Sequence, residues 1–471
     1  MNQFNRQRGH LLLQVLVFGT IGLILVWSLA GLARVNIIAS RNSLEREQAF
    51  HLAEAGVEYY RWHLAHAPTD FEDGTGEPGP YVHNYYDKDG NLLGTFSLAI
   101  EPPLLGSTLV KITSTGTETL TGISRTIEVK LAISSLAKYA FISNQAVRYG
   151  AGTEIFGPIH SNDGIRFDGL AHNLVTSAKD KYDDPDHSGD LEYAVHTHLS
   201  PTDPLPPATL PARTDVFAAG RQFPVPAIDF NWFTADVSQM KTDAQAGGLY
   251  FAASGALGYN LVLQTNDTFK LYRVDSLAAA PSGCSNVAGQ SDWGTWSVGS
   301  QTLLGTHNFP GNGLVFLEDN LWVEGEIDTA RLTIVSARFP ETSSTNTNIT
   351  INKNVRYNNY DGQDVIALIA QKNINAGLVS NDTLTVDAAL VAKNGRVGRF
   401  YYENDCYPYN HRSTITLFGM IASNQRYGFA YTDGTGYTTR NIVYDGNLLY
   451  NPPPSFPLTT DQYSVISWRE L

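Results

Sequence analysis

Arg6-Gln7-Arg8-Gly9-His10-Leu11-Leu12-Leu13-Gln14-Val15-Leu16-Val17-Phe18-Gly19-Thr20 opens a basic leader onto an uncharged stretch that runs from Leu11 to Ala33 and ends at Arg34. As a helix those 23 residues span roughly 35 Å, enough to cross a hydrocarbon core of about 30 Å with some tilt. Fourteen of them are Leu, Ile, Val or Phe, each favouring insertion by about 0.3 to 0.6 kcal/mol at a helix centre. No turn or Pro/Gly cluster follows until Ala67-Pro68, so the sequence predicts one helix of roughly 85 Å from His10 to His66. Its second half is amphipathic: Ala49, Ala53, Val57, Tyr60 and Leu64 recur at spacings of 4, 4, 3 and 4, one face of a 3.6-residue period. Arg41/Glu45 and Glu58/Arg61 are placed to pair on the exposed sides. The first half therefore suits lipid and the second suits a folded domain.

A basic leader ending in glycine, a hydrophobic half-helix, an amphipathic half-helix and a β-rich body together resemble type IV pilins. The segment Gln48-Ala49-Phe50-His51-Leu52-Ala53-Glu54-Ala55-Gly56-Val57-Glu58 is similar to the AEAG-type signature of PilX-like pilus-assembly proteins and related minor pseudopilins. The resemblance covers about the first 135 residues. It implies that a prepilin peptidase removes residues 1–9 by cutting after Gly9, and that the new N-terminus, His10, is methylated. It further implies partnership with other pilin or pseudopilin subunits through the helix. Residues 10–33 would sit in the inner membrane before assembly with the body outside the cytoplasm, and the chain would move later to the pilus and cell surface. Two residues depart from the family pattern: the mature chain usually begins with Phe or Met, and many members carry Glu where this chain has Gln14.

That second departure has a physical consequence. A carboxylate in lipid is costly unless it meets a cation such as a neighbour's terminal amine, whereas an amide avoids the cost and loses the partner. A subunit that caps or starts a filament is one reading of Gln14; a glutamine merely tolerated in a bundle interior is the other. A cleavable secretory signal is a competing reading of the N-terminus, with Ser28-Leu29-Ala30 as its cleavage site. The apolar run exceeds the usual 7 to 15 residues, however, and the helix pattern continues through the cut.

With 471 residues, 46 acidic and 32 basic, the chain carries a net charge of −14. Such a surface repels nucleic acid and anionic lipid. Cys284 and Cys406 are the two cysteines; they form a disulfide in an oxidising compartment, or remain as two buried thiols.

The reading beyond the helix is α+β and mostly β. Residues 67–135 form an antiparallel module: Tyr81 to Tyr86 and Asn91 to Ile100 flank the turn Asp87-Lys88-Asp89-Gly90, and Thr108 to Ser114 and Ser124 to Ile133 follow. Residues 136–312 are β-rich, with a polar, proline-rich insertion at 177–226 expected as a surface loop without central strands. From 313 to 430 short apolar segments recur with Asn and Gly corners, and Val365-Ile366-Ala367-Leu368-Ile369-Ala370 reads as a strand buried on both sides. A parallel β-helix fits this best and a β-sandwich next. Asn352, Asn354, Asn373, Asn375 and Asn381 would either adopt left-handed backbone or bond between coils. Residues 431–471 are expected to close the end of that body.

Three groups of residues could carry chemistry. His187, His196 and His198 lie among Asp183, Asp184, Asp186, Asp190 and Glu192, donors suited to zinc or calcium, although their spacing matches no zinc framework and a solvated loop is the default. Tyr401, Tyr402, Tyr407, Tyr409, Tyr427 and Tyr431 could stack on a surface glycan or fill a core. Asp364, Asp382, Asp387, Glu403 and Asp405 are available carboxylates, but no spacing selects a pair, and no nucleophile elbow, phosphate loop or His-Glu-x-x-His motif is present. No catalytic residue, metal or cofactor is assigned. The expectation is a noncatalytic minor pilin in which Gly19, Gly22 and Gly31, with Ala49, Ala53 and Val57, govern helix packing. The alternative is a glycan-binding adhesin mounted on the same helix, with an anchored polysaccharide-degrading enzyme behind it.

Overall fold

A computed structural model of the chain describes residues 7–230, 232–294, 296–458 and 462–471, with side-chain surroundings described for all of these except 7–9 and 232–236. Leader residues 1–6 lie outside the described residues. Helix α1 runs unbroken over Gln7–His66, 60 residues and about 90 Å. The chain divides into two units. The first comprises residues up to Pro102, Val110–Ala132 and Gln462–Leu471; the second comprises Pro103–Leu109 and Ile133–Asp461.

In the first unit, β1 (Tyr81–Tyr86), β2 (Leu92–Glu101), β3 (Val110–Glu118) and β4 (Ser124–Ala132) form an antiparallel meander. The β1–β2 turn uses Gly90 at φ +86, a conformation glycine adopts without strain. Asp87 closes the turn by accepting from the backbone N–H groups of Asp89 and Asn91. The C-terminal strand Ser464–Glu470 pairs antiparallel with β4 and completes a five-stranded sheet. This corrects the expected cover at 431–471: its last strand belongs to the N-terminal sheet, where Arg469 meets Glu128 at 2.8 Å.

The second unit is built on parallel ladders. Leu249–Phe251, Leu314–Leu317, Arg331–Ser336, Val365–Ala370, Thr383–Ala392, His411–Ser423, Phe141–Ser143, Ile159–Ser161, Val175–Ser177 and Arg221–Gln222 pair in that spatial order, all parallel. Two further ladders run beside this one. Leu321, Ile349 and Ile374 stack toward Val397 on one, and Gly325, Val355 and Val386 stack toward Leu417 on the other. The result is a three-faced parallel β-helix, not a sandwich. Stack order is not chain order: residues 141–222 extend the stack past Ser423, and residues 249–423 approach it from the far end. The solenoid is thus wider than 313–430. Strand Gly436–Tyr444 lies inside it, between His411–Ser423 and Thr153–Phe156, and so is no terminal cover.

The consecutive apolar strands have a simple cause. Ile366, Leu368 and Ala370 point into the lumen core, while Val365, Ala367 and Ile369 face a second core on the outside. Helix α2 (Trp232–Gly247) covers that outer core with Val237, Met240 and Ala244. The 177–226 insertion also departs from expectation. Val195, Val216 and Phe217 from it are buried in the lumen core, and Val195–His196 pairs parallel with Ile165–Phe167. Its polar composition conceals three apolar residues spaced to reach the ladder.

The asparagine corners resolve toward hydrogen bonding. Asn320 Oδ1 accepts from the Asn348 N–H at 2.9 Å, Asn348 Oδ1 from the Asn373 N–H at 3.1 Å, and Asn373 Oδ1 from the Arg396 N–H at 3.0 Å. Asn352 and Asn354 accept from the N–H groups of Gly377 and Thr385 in the same way. None of these asparagines has positive φ.

Candidate functional site

The first half of α1 and its second half present opposite surfaces. From His10 to Leu44 the large apolar side chains are exposed, Trp27 to 82% and Phe18 to 71%. A stretch of this helix is long and apolar enough to cross a membrane. Burial begins at Glu45, whose Oε1 accepts from Arg41 Nε at 2.7 Å; that carboxylate was expected on an exposed side and is instead covered. Arg61 and Glu58 stand 3.6 Å apart on the surface. Ala49, Ala53, Val57, Tyr60 and Leu64 are all buried. The last four of these pack on Phe96, Leu98, Val110, Ile112, Ile127, Val129 and Leu131 of the sheet.

Glycine sets the helix–sheet spacing. A Cβ on Gly56 would meet Phe96 Cδ2 at 3.0 Å and Leu98 Cδ2 at 3.1 Å, and would strike Ser114 Oγ. A Cβ on Gly116 of β3 would strike the helix backbone at Ala49 and Ala53, and one on Gly94 of β2 would strike Leu52. Glycine inside a strand marks a close backbone approach, so Gly94 and Gly116 were readable signals that sequence reasoning passed over. Gly56, quoted in the family-like segment, has its physical reason here. His51 and Glu54 of that segment form a surface pair at 3.0 Å.

The remaining candidate positions on the helix lie in its free half. Gly9 and His10 are helical, and His10 is exposed. Gln14 is exposed. Nothing lies within 4 Å of a Cβ placed on Gly19, Gly22 or Gly31. At about 100° per residue, Gly19 and Gly22 point roughly 60° apart and Gly31 faces nearly opposite Gly22, so small residues are available on more than one side.

Elsewhere, Cys284 and Cys406 are disulfide-bonded within a cluster of Trp293, Trp296, Leu378, Phe400 and Tyr402. The six tyrosines do not form one platform. Tyr402 and Tyr427 are core residues, Tyr401 bonds Asp433 at 2.8 Å, Tyr431 donates to the Arg399 carbonyl at 2.7 Å, and Tyr407 is 74% exposed. A cleft of about 860 Å³ opens beside Tyr431 and is lined by Arg148, Arg396, Arg426, Arg440 and Asp186. Three of the available carboxylates hold backbone: Asp364 accepts from the N–H groups of Ala330 and Asn359, Asp382 from Ser413, and Asp387 from Tyr357. Burial raises the Asp387 carboxyl above its ordinary range.

The histidines of the insertion do converge. His196, 1% exposed, places Nε2 at 3.5 Å from Glu192 Oε2 and 3.7 Å from Asp184 Oδ2. His198 Nε2 and His187 Nδ1 stand 3.0 Å and 2.9 Å from Glu192 Oε1. The expected solvated loop is therefore a buried polar cluster, because Val195–His196 is a coil strand and carries its neighbours into the body.

No family model matches the chain, and no curated protein matches it. Among solved structures, the competence-associated pilin ComZ from Thermus thermophilus is similar at a TM-score of 0.33 and 12% identity, with 91% of this chain and 98% of that chain covered. A likeness at that level fixes neither fold nor function.

Proposed function

We propose that this chain is a noncatalytic, PilX-like minor pilin or pseudopilin that takes part in assembling a type IV pilus or related filament. The observation that carries this reading is the single unbroken α1, whose exposed apolar half projects from a half packed on a five-stranded sheet. In the mechanism, Leu11 to Ala33 exchange lipid in the inner membrane for neighbouring helices in a filament. Both surroundings are apolar, so close packing and small residues decide docking more than hydrophobicity does. Gly19, Gly22 and Gly31 face more than one direction, which suits a helix surrounded on several sides. Gln14 lacks the charge that would pair with a neighbour's amine, and the body is bulky for a repeating subunit; both favour a place at a filament end.

The test is a tagged chain followed into sheared filaments. Wild type is expected in the sheared fraction, at low copy and near ends by labelled electron microscopy. Gly9→Leu is expected to hold the chain in the inner membrane. Recovery of both forms only in membranes would overturn the reading, and even labelling along the shaft would overturn the end position.

A second reading, an adhesin mounted on the same helix, draws on the arginine-lined cleft, which suits an acidic glycan. Binding of the full chain to acidic over neutral glycans, reduced in Arg148→Ala, is its expected signature; equal binding to both contradicts it.

A further inference from the structure

We propose that the body carries a divalent transition-metal site of the zinc type, with Asp184 Oδ2, His196 Nε2 and His198 Nε2 as ligands and Glu192 supplying the fourth. One ligand atom from each of Asp184, His196 and His198 lies within 4.8 Å of the other two. Zn²⁺ binds imidazole nitrogen and carboxylate oxygen at about 2.0–2.2 Å, which places tetrahedral ligand atoms roughly 3.3 Å apart. The separations of 3.5 Å and 3.7 Å from His196 Nε2 to Glu192 and Asp184 need adjustments of only a few tenths of an ångström.

What sets the cluster apart from an ordinary set of ion pairs is the state of its buried atoms. His196 Nδ1 lies 3.0 Å from the Tyr193 carbonyl. A carbonyl can only accept, so the proton sits on Nδ1 and Nε2 aims inward. A backbone carbonyl on the far nitrogen is the usual way a ligating imidazole is oriented. Nε2 has no hydrogen-bond partner, and neither has Asp184 Oδ2, although both residues are buried. Asp184 spends its other oxygen on the Asp186 N–H at 3.0 Å. A neutral imidazole lone pair facing two carboxylates is unfavourable; a cation between them removes the conflict.

The alternative is an imidazolium at His196 held between Asp184 and Glu192. Charge-assisted N–H···O bonds run about 2.7–2.9 Å, and neither carboxylate has closed to that distance. Arg166 contributes positive charge, but its Nε is committed to Asp168 at 2.8 Å and its Nη1 stands 3.6 Å from Asp184 Oδ2. Calcium is disfavoured because it takes six to eight oxygens, whereas half of these donors are nitrogen. The Asp184 and Glu192 side chains are only 1% and 4% exposed, so four protein ligands would close the shell and the ion would be structural, clamping the insertion onto the Val195–His196 coil. His187, with its side chain 46% exposed, groups with Glu192 and His198 but not with Asp184 or His196, and is left outside the shell.

The experiment uses the full chain in detergent, loaded with Zn²⁺, dialysed and assayed by elemental analysis, then repeated with Co²⁺. The expected result is one metal per chain and a visible Co²⁺ absorption band of tetrahedral strength. His196→Gln with His198→Gln is expected to abolish metal retention with far-ultraviolet dichroism unchanged, while His187→Gln retains the metal. Wild type that keeps no Zn²⁺ and gives no Co²⁺ band overturns the proposal. Loss of the metal in His187→Gln overturns the ligand assignment. If the double variant fails to fold, the wild-type Co²⁺ spectrum decides alone.

Discussion

Gly56 and Gly19 are the same residue type on the same helix under opposite constraints. Gly56 faces Phe96, Leu98 and Ser114, whereas Gly19 faces open space. Gly56→Val is expected to destabilise the helix–sheet unit by about 2 kcal/mol through overpacking. Gly19→Ala is expected to leave thermal unfolding of that unit unchanged and to alter only filament incorporation; paired thermal scans and shearing assays check both. Asp387 gives a prediction in pH. Its folded carboxyl is raised by burial, so stability that is full below the ordinary aspartate range falls as pH rises through the raised value. Asp387→Asn removes that loss, so its denaturation midpoint should gain on wild type as pH rises above the ordinary aspartate range; a constant difference would contradict the assignment. The buried face Ala49, Ala53, Val57, Tyr60 and Leu64 was legible because spacing alone defines it. Gly94 and Gly116 signalled a close approach that went unused, and what they approach, Leu52, Ala49 and Ala53 of α1, lies roughly 40 to 70 residues earlier; the burial of Glu45, a carboxylate one turn before Ala49, was not legible.

Among elements, the asparagine corners carry the clearest energetic expectation. Asn348 is 4% exposed, and its Oδ1 takes the buried Asn373 N–H. Asn348→Ala leaves that donor unpaired and should cost about 1–3 kcal/mol, read as a lower denaturation midpoint of the body. The Cys284–Cys406 bond closes a separation of 122 residues, worth up to about 5 kcal/mol by loop entropy. Reduction, or Cys284→Ser with Cys406→Ser, should lower the same midpoint, and an unchanged midpoint would show that the surrounding Trp293 and Trp296 cluster suffices. Apolar runs such as Val365 to Ala370 were readable because burial on both faces removes alternation. Helix α2 was missed, although Val237, Met240 and Ala244 sit at helical spacing and Gly247-Gly248 follows. Three buried positions in a polar stretch give a weak period, and what makes them apolar is the outer face of a ladder far away in sequence.

At the scale of the molecule, the sequence conveyed a rod followed by β structure but not how the β structure is threaded. Strands of three residues, such as Phe141–Ser143 and Ile159–Ser161, carry little pattern, and Phe141–Ser143 pairs not only with Ile159–Ser161 but with His411–Ser423, hundreds of residues on. The 177–226 segment looked like a loop for the same reason, and the C-terminal strand looked like a cap because its pairing with β4 is long-range. The rod was legible because helical periodicity is local. Everything proposed for function rests on that rod being matured so that its apolar half begins at residue 10, and the direct test is the mass and N-terminal sequence of the chain isolated from its cell envelope. The account predicts a chain that starts at His10 and carries a methyl group on its terminal nitrogen. A chain that starts at Met1, or after Ala30, would contradict it.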